Sequence, residues 1–210
     1  MQQWRSLMDT TKTIAIYGQS GHGQVVRQIA EACGYQNILW IDDNPTIKSM
    51  GFEYFKQAHS TVSVALGIGN NMARQRVYEK LKKANIPVAT LTHPTAVIAS
   101  DCSIGEGSII MPLSVVNTLA TIGVGSIINT SAIVEHECHV DVFVHLSPQA
   151  ALAGGVSVGA FSHVGIGATV IQLLTIGSHS IVAAGSVVIQ NIPNHVMVAG
   201  VPATIKKELS

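Results

Sequence analysis

The sequence is short of charge and of anything that concentrates it. Only 11% of its 210 residues are Asp, Glu, Lys or Arg, and 12 basic residues balance 12 acidic ones. No basic run is present to track phosphates along a nucleic acid or to hold an anionic membrane surface, so neither partner is expected. Cysteine is equally sparse. Cys33, Cys102 and Cys138 are odd in number and widely spaced, with no CxxC pair, which fits free thiols in a reducing compartment better than a disulfide framework. The first residues, Met1 to Lys12, are polar and lack the apolar stretch of a secretory leader. No window reaches the roughly 18 uninterrupted apolar residues of a membrane span. These absences together point to a cytoplasmic protein without membrane insertion.

What is present is a period. From Ile98 to Val188 every sixth residue is aliphatic, through Ile104, Ile110, Val116, Ile122, Ile128 and onward without a slip. Four places after each stands mostly a small residue, such as Ser108, Ser126, Ala132 or Ser162, and glycine often follows the aliphatic directly, as in Ile104-Gly105. Neither the helical period of 3.6 nor the strand period of 2 produces six. A short strand, a corner and a repeat do: three hexads close a triangular coil, and coils stack at about 4.8 Å. The expected C-terminal fold is therefore a parallel β-helix of hexapeptide repeats, aliphatics inside and small residues at the corners. An ordinary sandwich needs irregular spacing.

The first part of the chain follows another pattern. Thr13 to Tyr17 reads as a buried strand, Gly18 to Gly23 as a glycine loop, and Gln24 to Cys33 as an amphipathic helix. A strand over Ile38 to Ile41 ends in Asp42-Asp43-Asn44-Pro45. Another over Val62 to Leu66 leads to a helix from Met72 to Ala84. Strands alternating with helices indicate a small Rossmann-like parallel sheet in an α/β domain. The division falls near Leu91-Thr-His-Pro94, giving domains 1–92 and 93–210.

Glycines between a strand and a helix let backbone amides approach an anion. The spacing here, Gly18-x-x-Gly21-x-Gly23, is not the GxGxxG of dinucleotide binders. A mononucleotide diphosphate suits the same amides, and Asp42 or Asp43 stands where a base or ribose is held. On spacing alone the glycines also read as a tight turn, the aspartates as a strand end and His22 as a surface side chain.

One polar segment interrupts the repeats: Ala132-Ile-Val-Glu135-His136-Glu137-Cys138-His139. Hexad phase puts His136 near a corner, pointing outward. His139, His145 and His163 share another phase, and His145 and His163 lie one full coil apart, so they stack. The His136-x-x-His139 spacing is wrong for a helical zinc pair and no cysteine pair joins it, so no metal is expected. Acid-base work suits it better: a neutral imidazole takes a proton, and an adjacent carboxylate, Glu135 or Glu137, fixes its tautomer. A solvated Glu-His-Glu corner is the plain alternative.

The segments Ile16-Tyr-Gly-Gln-Ser-Gly-His-Gly-Gln-Val-Val26, Ile133-Val-Glu-His-Glu-Cys138, His145-Leu-Ser-Pro-Gln-Ala150 and Val198-Ala-Gly-Val-Pro-Ala203 together resemble the left-handed β-helix sugar acyltransferases. They are most similar to the bacterial UDP-4-amino-sugar N-acetyltransferases of bacillosamine synthesis. The resemblance implies a homotrimer using acetyl-CoA, with active sites between subunits. His136 matches the general base and Glu137 its orienting carboxylate; His145 matches a histidine beside the thioester, hydrogen-bonding its carbonyl. Gly18, Ser20, Gly21, His22 and Gly23, with Asp42 and Asp43, match the region that holds the nucleotide sugar. Gly154, Gly155 and Ala184 match the path of the pantetheine arm. Two departures stand out: Gln172-Leu173-Leu174 at a corner, and Thr204 where lysine or arginine is commoner. O-acetylation of sialic acid or another sugar, and a non-catalytic trimeric scaffold, are the competing readings.

Overall fold

The computed structural model describes residues 12–209; the leader reading for the residues before Lys12 lies outside them. The α/β unit is a three-stranded parallel sheet in the order β2-β1-β3, with β1 Thr13–Tyr17, β2 Asn37–Ile41 and β3 Val64–Leu66. β1 is apolar on both faces because both are covered. Ile14 and Ile16 pack with Val26, Ile29 and Ala30 of helix α1, Gly21–Ala32. Ala15 and Tyr17 pack with Phe52 and Phe55 of α2, Phe52–His59, and with Leu81 of α3, Asn71–Lys83. The first helix begins at Gly21, three residues before the sequence pattern suggested, with Ser20 extended as its N-cap. Sequence pattern did not indicate α2 at all, since eight residues with two buried phenylalanines are too few to show a period. Among the described residues no helix is long and apolar enough to cross a membrane.

From β4, Leu91–Thr92, the chain winds into a three-sided parallel β-solenoid of two-residue strands. Each strand pairs with those one coil away, as in the column Ile109, Ile127, His145, His163, Ile181. We call the sheet containing this column the first, the one through Val97, Val115, Ile133 and Ala151 the second, and the one through Ser103, Thr121, His139 and Ser157 the third. From Val97–Ile98 to Val187–Val188 the second residue of each two-residue strand is the hexad aliphatic and points inward; from Ile110 to Val188 all are buried. The small residues do more than fit. Buried Ser126 donates from Oγ to Asp141 O (2.8 Å) and accepts from Val144 N (3.1 Å), bridging corner and coil. The corners also share a left-handed residue three places after the aliphatic, among them Leu113, Glu137, Phe143 and Leu173 at φ 53–61°. Each non-glycine residue held there costs about 1 kcal/mol, which the ladder around it must offset.

The α/β unit docks on the lower first sheet, where Leu91, Ile109, Met111 and Ile127 join the cluster of Ile14 and Ile16. A buried arginine pins the contact. Arg74 of α3 donates to the carbonyls of Gly125 (2.6 Å), Ile68 (3.1 Å), Gly69 (3.0 Å), Phe143 (3.1 Å) and Val144 (3.3 Å), and to Asn71 Oδ1 (2.8 Å). Asn71 in turn donates to Phe161 O (2.9 Å). The unit reaches up the first sheet to His145, which meets His22.

Removing the hydroxyl of Ser126 leaves one buried donor and one buried acceptor unpaired. Ser126→Ala is therefore expected to cost about 2 kcal/mol, read as a lower midpoint in urea unfolding. Ser103→Ala, on the exposed third sheet, should stay within about 0.5 kcal/mol.

Candidate active site

His136 sits on the corner between the second and third sheets, after strand Ile133–Val134 and before His139–Val140. Its Nδ1 lies 3.0 Å from Glu137 Oε2. Glu135 is engaged elsewhere: its Oε2 accepts from Asn117 Nδ2 at 3.0 Å, one coil below. The carboxylate that orients the imidazole is thus Glu137, a choice the sequence left open. Side-chain exposures of 54% for His136 and 63% for Glu137 put the pair at the surface, with no hydrogen-bond partner on Nε2 among the described residues. One coil above, Gly154 leaves room for the ring. A Cβ there would come within 2.5 Å of His136 Cε1 and Nε2. The Gly155 amide donates to the His136 carbonyl at 2.9 Å, so the same glycine pair fixes the backbone of the corner.

A second cluster lies on the first sheet. His145 and His163 stack with centroids 4.8 Å apart and planes 2° from parallel, as their eighteen-residue spacing requires. His22, from the glycine loop, meets His145 edge-on at 6.1 Å. Burial lowers His145 to about 3, reinforced by the nearby His163, Arg74 and His22. Burial, with the Arg74 charge second, lowers His22 to about 4. These imidazoles are neutral at physiological pH. Asn129 Oδ1 is taken by the Thr130 amide (2.8 Å), so its Nδ2 faces His145 Nε2 at 3.0 Å and donates to it. With Nε2 accepting, the ring hydrogen of His145 stands on Nδ1. A donor with a hydrogen to spare on that wall is Asn129, which sequence reasoning missed. Above it opens a groove of about 760 Å³ lined by Asn70, Asn71, His163, His179 and His195 among others.

In the glycine loop the packing itself demands glycine at two positions. Gly18 has φ +104°, and side chains at Gly23 or Gly67 would strike the Gly18 carbonyl. Gly21 faces open space and Ser20 is exposed, so these are the loop positions left to meet a ligand. Asp42 accepts from the amides of Gln19 (2.8 Å) and Asn44 (2.9 Å). Asp43 accepts from Tyr17 Oη and from Lys80 Nζ, the latter at 2.6 Å. Both aspartates shape the loop within the chain. Ala184 is exposed on the corner between the first and second sheets, away from Gly154 and Gly155. The candidate residues therefore fall into two groups: the glycine loop with His22, His145 and Asn129 on the first sheet, and His136, Glu137 and Gly154 on a different corner.

Comparison with known proteins gives the pattern a family. Residues 13–81 match the model of the PglD N-terminal domain. UDP-N-acetylbacillosamine N-acetyltransferase of Bacillus subtilis (strain 168) is 38% identical over 111 residues; the alignment spans 48% of this chain and about half of that relative (51%). A histidine-to-asparagine mutant of perosamine N-acetyltransferase from Caulobacter crescentus, in complex with CoA and GDP-perosamine, is 35% identical. The match covers 95% of this chain and 99% of that one, with a TM-score of 0.88. The chain belongs to the hexapeptide-repeat sugar N-acetyltransferases. The acetyltransferase is also similar to the acetyltransferase domain of PglB from Neisseria gonorrhoeae FA1090, solved in complex with acetyl coenzyme A. There the identity is 33%, the coverage 93% and 100%, and the TM-score 0.88.

The depressed histidines give the acetyltransferase a pH dependence of definite sign. Between the ordinary value of 6.5 and their folded values of about 4 and about 3, only the unfolded chain binds protons at His22 and His145. Their effect is nil above 6.5 and grows as pH falls, removing about 4 kcal/mol of stability by pH 5. Denaturant unfolding at pH 7.5, 6 and 5 measures this loss. A His22→Asn/His145→Gln variant should show a flatter slope.

Proposed function

We propose that this protein transfers the acetyl group of acetyl-CoA to the 4-amino group of a nucleotide-linked, UDP-carried amino-dideoxy sugar, in clefts between the subunits of a homotrimer. The observation that carries the reading is the His136–Glu137 pair: Nδ1 held by a carboxylate at 3.0 Å, Nε2 free on an exposed corner. Nε2 takes the proton of the attacking amine as the nitrogen adds to the thioester carbon. Glu137 keeps the accepting lone pair on the outward nitrogen and offsets the imidazolium that forms. The carbonyl oxygen gains negative charge as this happens, and the spare hydrogen of Asn129 Nδ2 is a side-chain donor available to it. The carbon–sulfur bond then breaks, coenzyme A leaves, and no covalent enzyme intermediate is needed. Ser20, Gly21 and His22 serve the nucleotide sugar. Acetyl-CoA and free thiols both suit a cytoplasmic reaction.

The trimer follows from the separation of the half-sites, because one chain does not bring His136 to the loop of His22. A surface suited to closing the gap is present. The outward residues of the second sheet form an apolar stripe through Val97, Val115, Ile133 and Ala151, ending at exposed Thr169 and flanked by exposed Leu119 and Leu173. Val97 is 63% exposed and Leu173 79%, and a contiguous exposed apolar patch is the kind of surface that marks an interface. Sedimentation should give three times the chain mass. Val97→Asp/Ile133→Asp should shift the protein toward monomer and lose turnover in step; a fully active monomer would remove the shared site.

The catalytic test is thiol release from acetyl-CoA with a UDP-4-amino-4,6-dideoxy sugar, GDP-perosamine and free sialic acid as acceptors. Turnover is expected on the UDP amino sugar. His136→Ala should lower kcat by about 10²- to 10⁴-fold. Gly154→Ala, which displaces the ring, should lower it by about 10- to 100-fold with the unfolding midpoint retained. Release with sialic acid alone would replace N- by O-acetylation, and unchanged turnover in His136→Ala would end the base assignment.

A further inference from the structure

His136 has a glutamate on either side, and only one of them serves its ring. Glu137 holds Nδ1 from an exposed position, where a carboxylate contact is weak and open to competition. The rival stands close: Glu135 Oε2 is 3.4 Å from the His136 amide nitrogen, so this carboxylate lies beside the residue whose ring it would claim. What keeps the two glutamates apart lies one coil below, in Asn117-Thr118. Asn117 Nδ2 donates to Glu135 Oε2 at 3.0 Å, and among the described residues no other side chain donates to Glu135. The Asn117 amide is fixed in that sense because its Oδ1 accepts from Thr118 N at 2.8 Å. The Thr118 carbonyl accepts from the Glu137 amide at 3.0 Å, which anchors the left-handed residue that carries the other carboxylate. Thr118 is itself tied, its Oγ1 donating to Asp101 Oδ2 at 2.6 Å.

We propose that Asn117 is a positioning residue for proton abstraction: it draws the Glu135 carboxylate down one coil, so that Glu137 alone pairs with His136 and Nε2 stays open to the attacking amine. A half-buried carboxylate that loses its donor seeks another, and His136 is the residue alongside. Glu135 is harmful on either ring nitrogen. On Nδ1 it displaces Glu137 and turns the ring; on Nε2 it takes a hydrogen there and removes the lone pair that accepts the substrate proton. A neutral amide suits the task, because a cation at position 117 would hold Glu135 equally well but oppose the imidazolium that forms. The proposal rests on the acetyltransferase reading above for the use of His136 as base, though not for the pairing of the two glutamates.

A double-mutant cycle on the full chain separates this role from a merely structural one. Asn117→Leu keeps the bulk and removes the donor; it should lower kcat about 10- to 100-fold, with KM for acetyl-CoA little changed. Imidazole nitrogen NMR in alkaline buffer should show His136 as a single Nδ1–H form in wild type and as mixed forms in Asn117→Leu. Glu135→Ala removes the rival and should keep turnover near that of wild type. Asn117→Leu/Glu135→Ala should recover both the turnover and the ring signal, because nothing is left for Asn117 to restrain. If Asn117→Leu fails to fold, Asn117→Ala, which adds no bulk, takes its place in the cycle. Unchanged turnover and ring signals in the folded Asn117 variant, or a double variant as impaired as the Asn117 variant alone, would overturn the proposal. A wild type inactive with acetyl-CoA on every acceptor would sink the function reading, while the His136 nitrogen signals across the cycle would still decide the pairing.

Discussion

Each coil of the solenoid hydrogen-bonds its backbone to the coils eighteen residues before and after it, and everything outward-facing inherits that register. The ladder fixes which side chains stand in one column and at what height. It stacks His145 under His163 and sets Asn117 directly below Glu135. It also forces the left-handed corner residues, because a coil that closes in eighteen residues turns sharply every six. Glu137 adopts φ +60° for the same reason as Leu113 and Leu173, neither of which has a catalytic part. The His136 corner is an ordinary corner carrying unusual side chains.

This explains what the sequence made legible. A six-residue period has one economical closure, so the architecture, the inward aliphatics and the stacking of His145 on His163 follow from residue spacing alone. The identity of the orienting carboxylate was within reach too: Asn117 stands eighteen residues before Glu135, in the column that claims it. What stayed hidden depends on contacts between distant segments. Arginine on a helix reads as surface, and nothing local says that Arg74 lies under two solenoid corners. The tautomer of His145 is likewise set by Thr130 through Asn129, which no spacing rule connects. Two of the loop glycines proved to be required by backbone packing, which is the plain reading the spacing also allowed.

The two units divide the labour by rigidity. The solenoid supplies a column of fixed positions, while the small sheet delivers the ends of β1 and β3, with their loops, against one face of it. Arg74 joins the two through the carbonyls of Gly125, Phe143 and Val144. The apolar cluster beneath supplies the bulk of the adhesion.

The coil length also sets how such a chain can change. Deleting the one hexad 139–144 would carry everything after it one wall round the triangle, moving the histidine column from the first sheet to the third. A deletion or insertion of a whole coil would leave every side chain on its own wall and merely alter the height of the prism. Length is therefore adjustable in the coils above His163, where the groove rises past His179 and His195, and fixed between His136 and His145, where a change of even one hexad would put the two histidines on a different pair of walls.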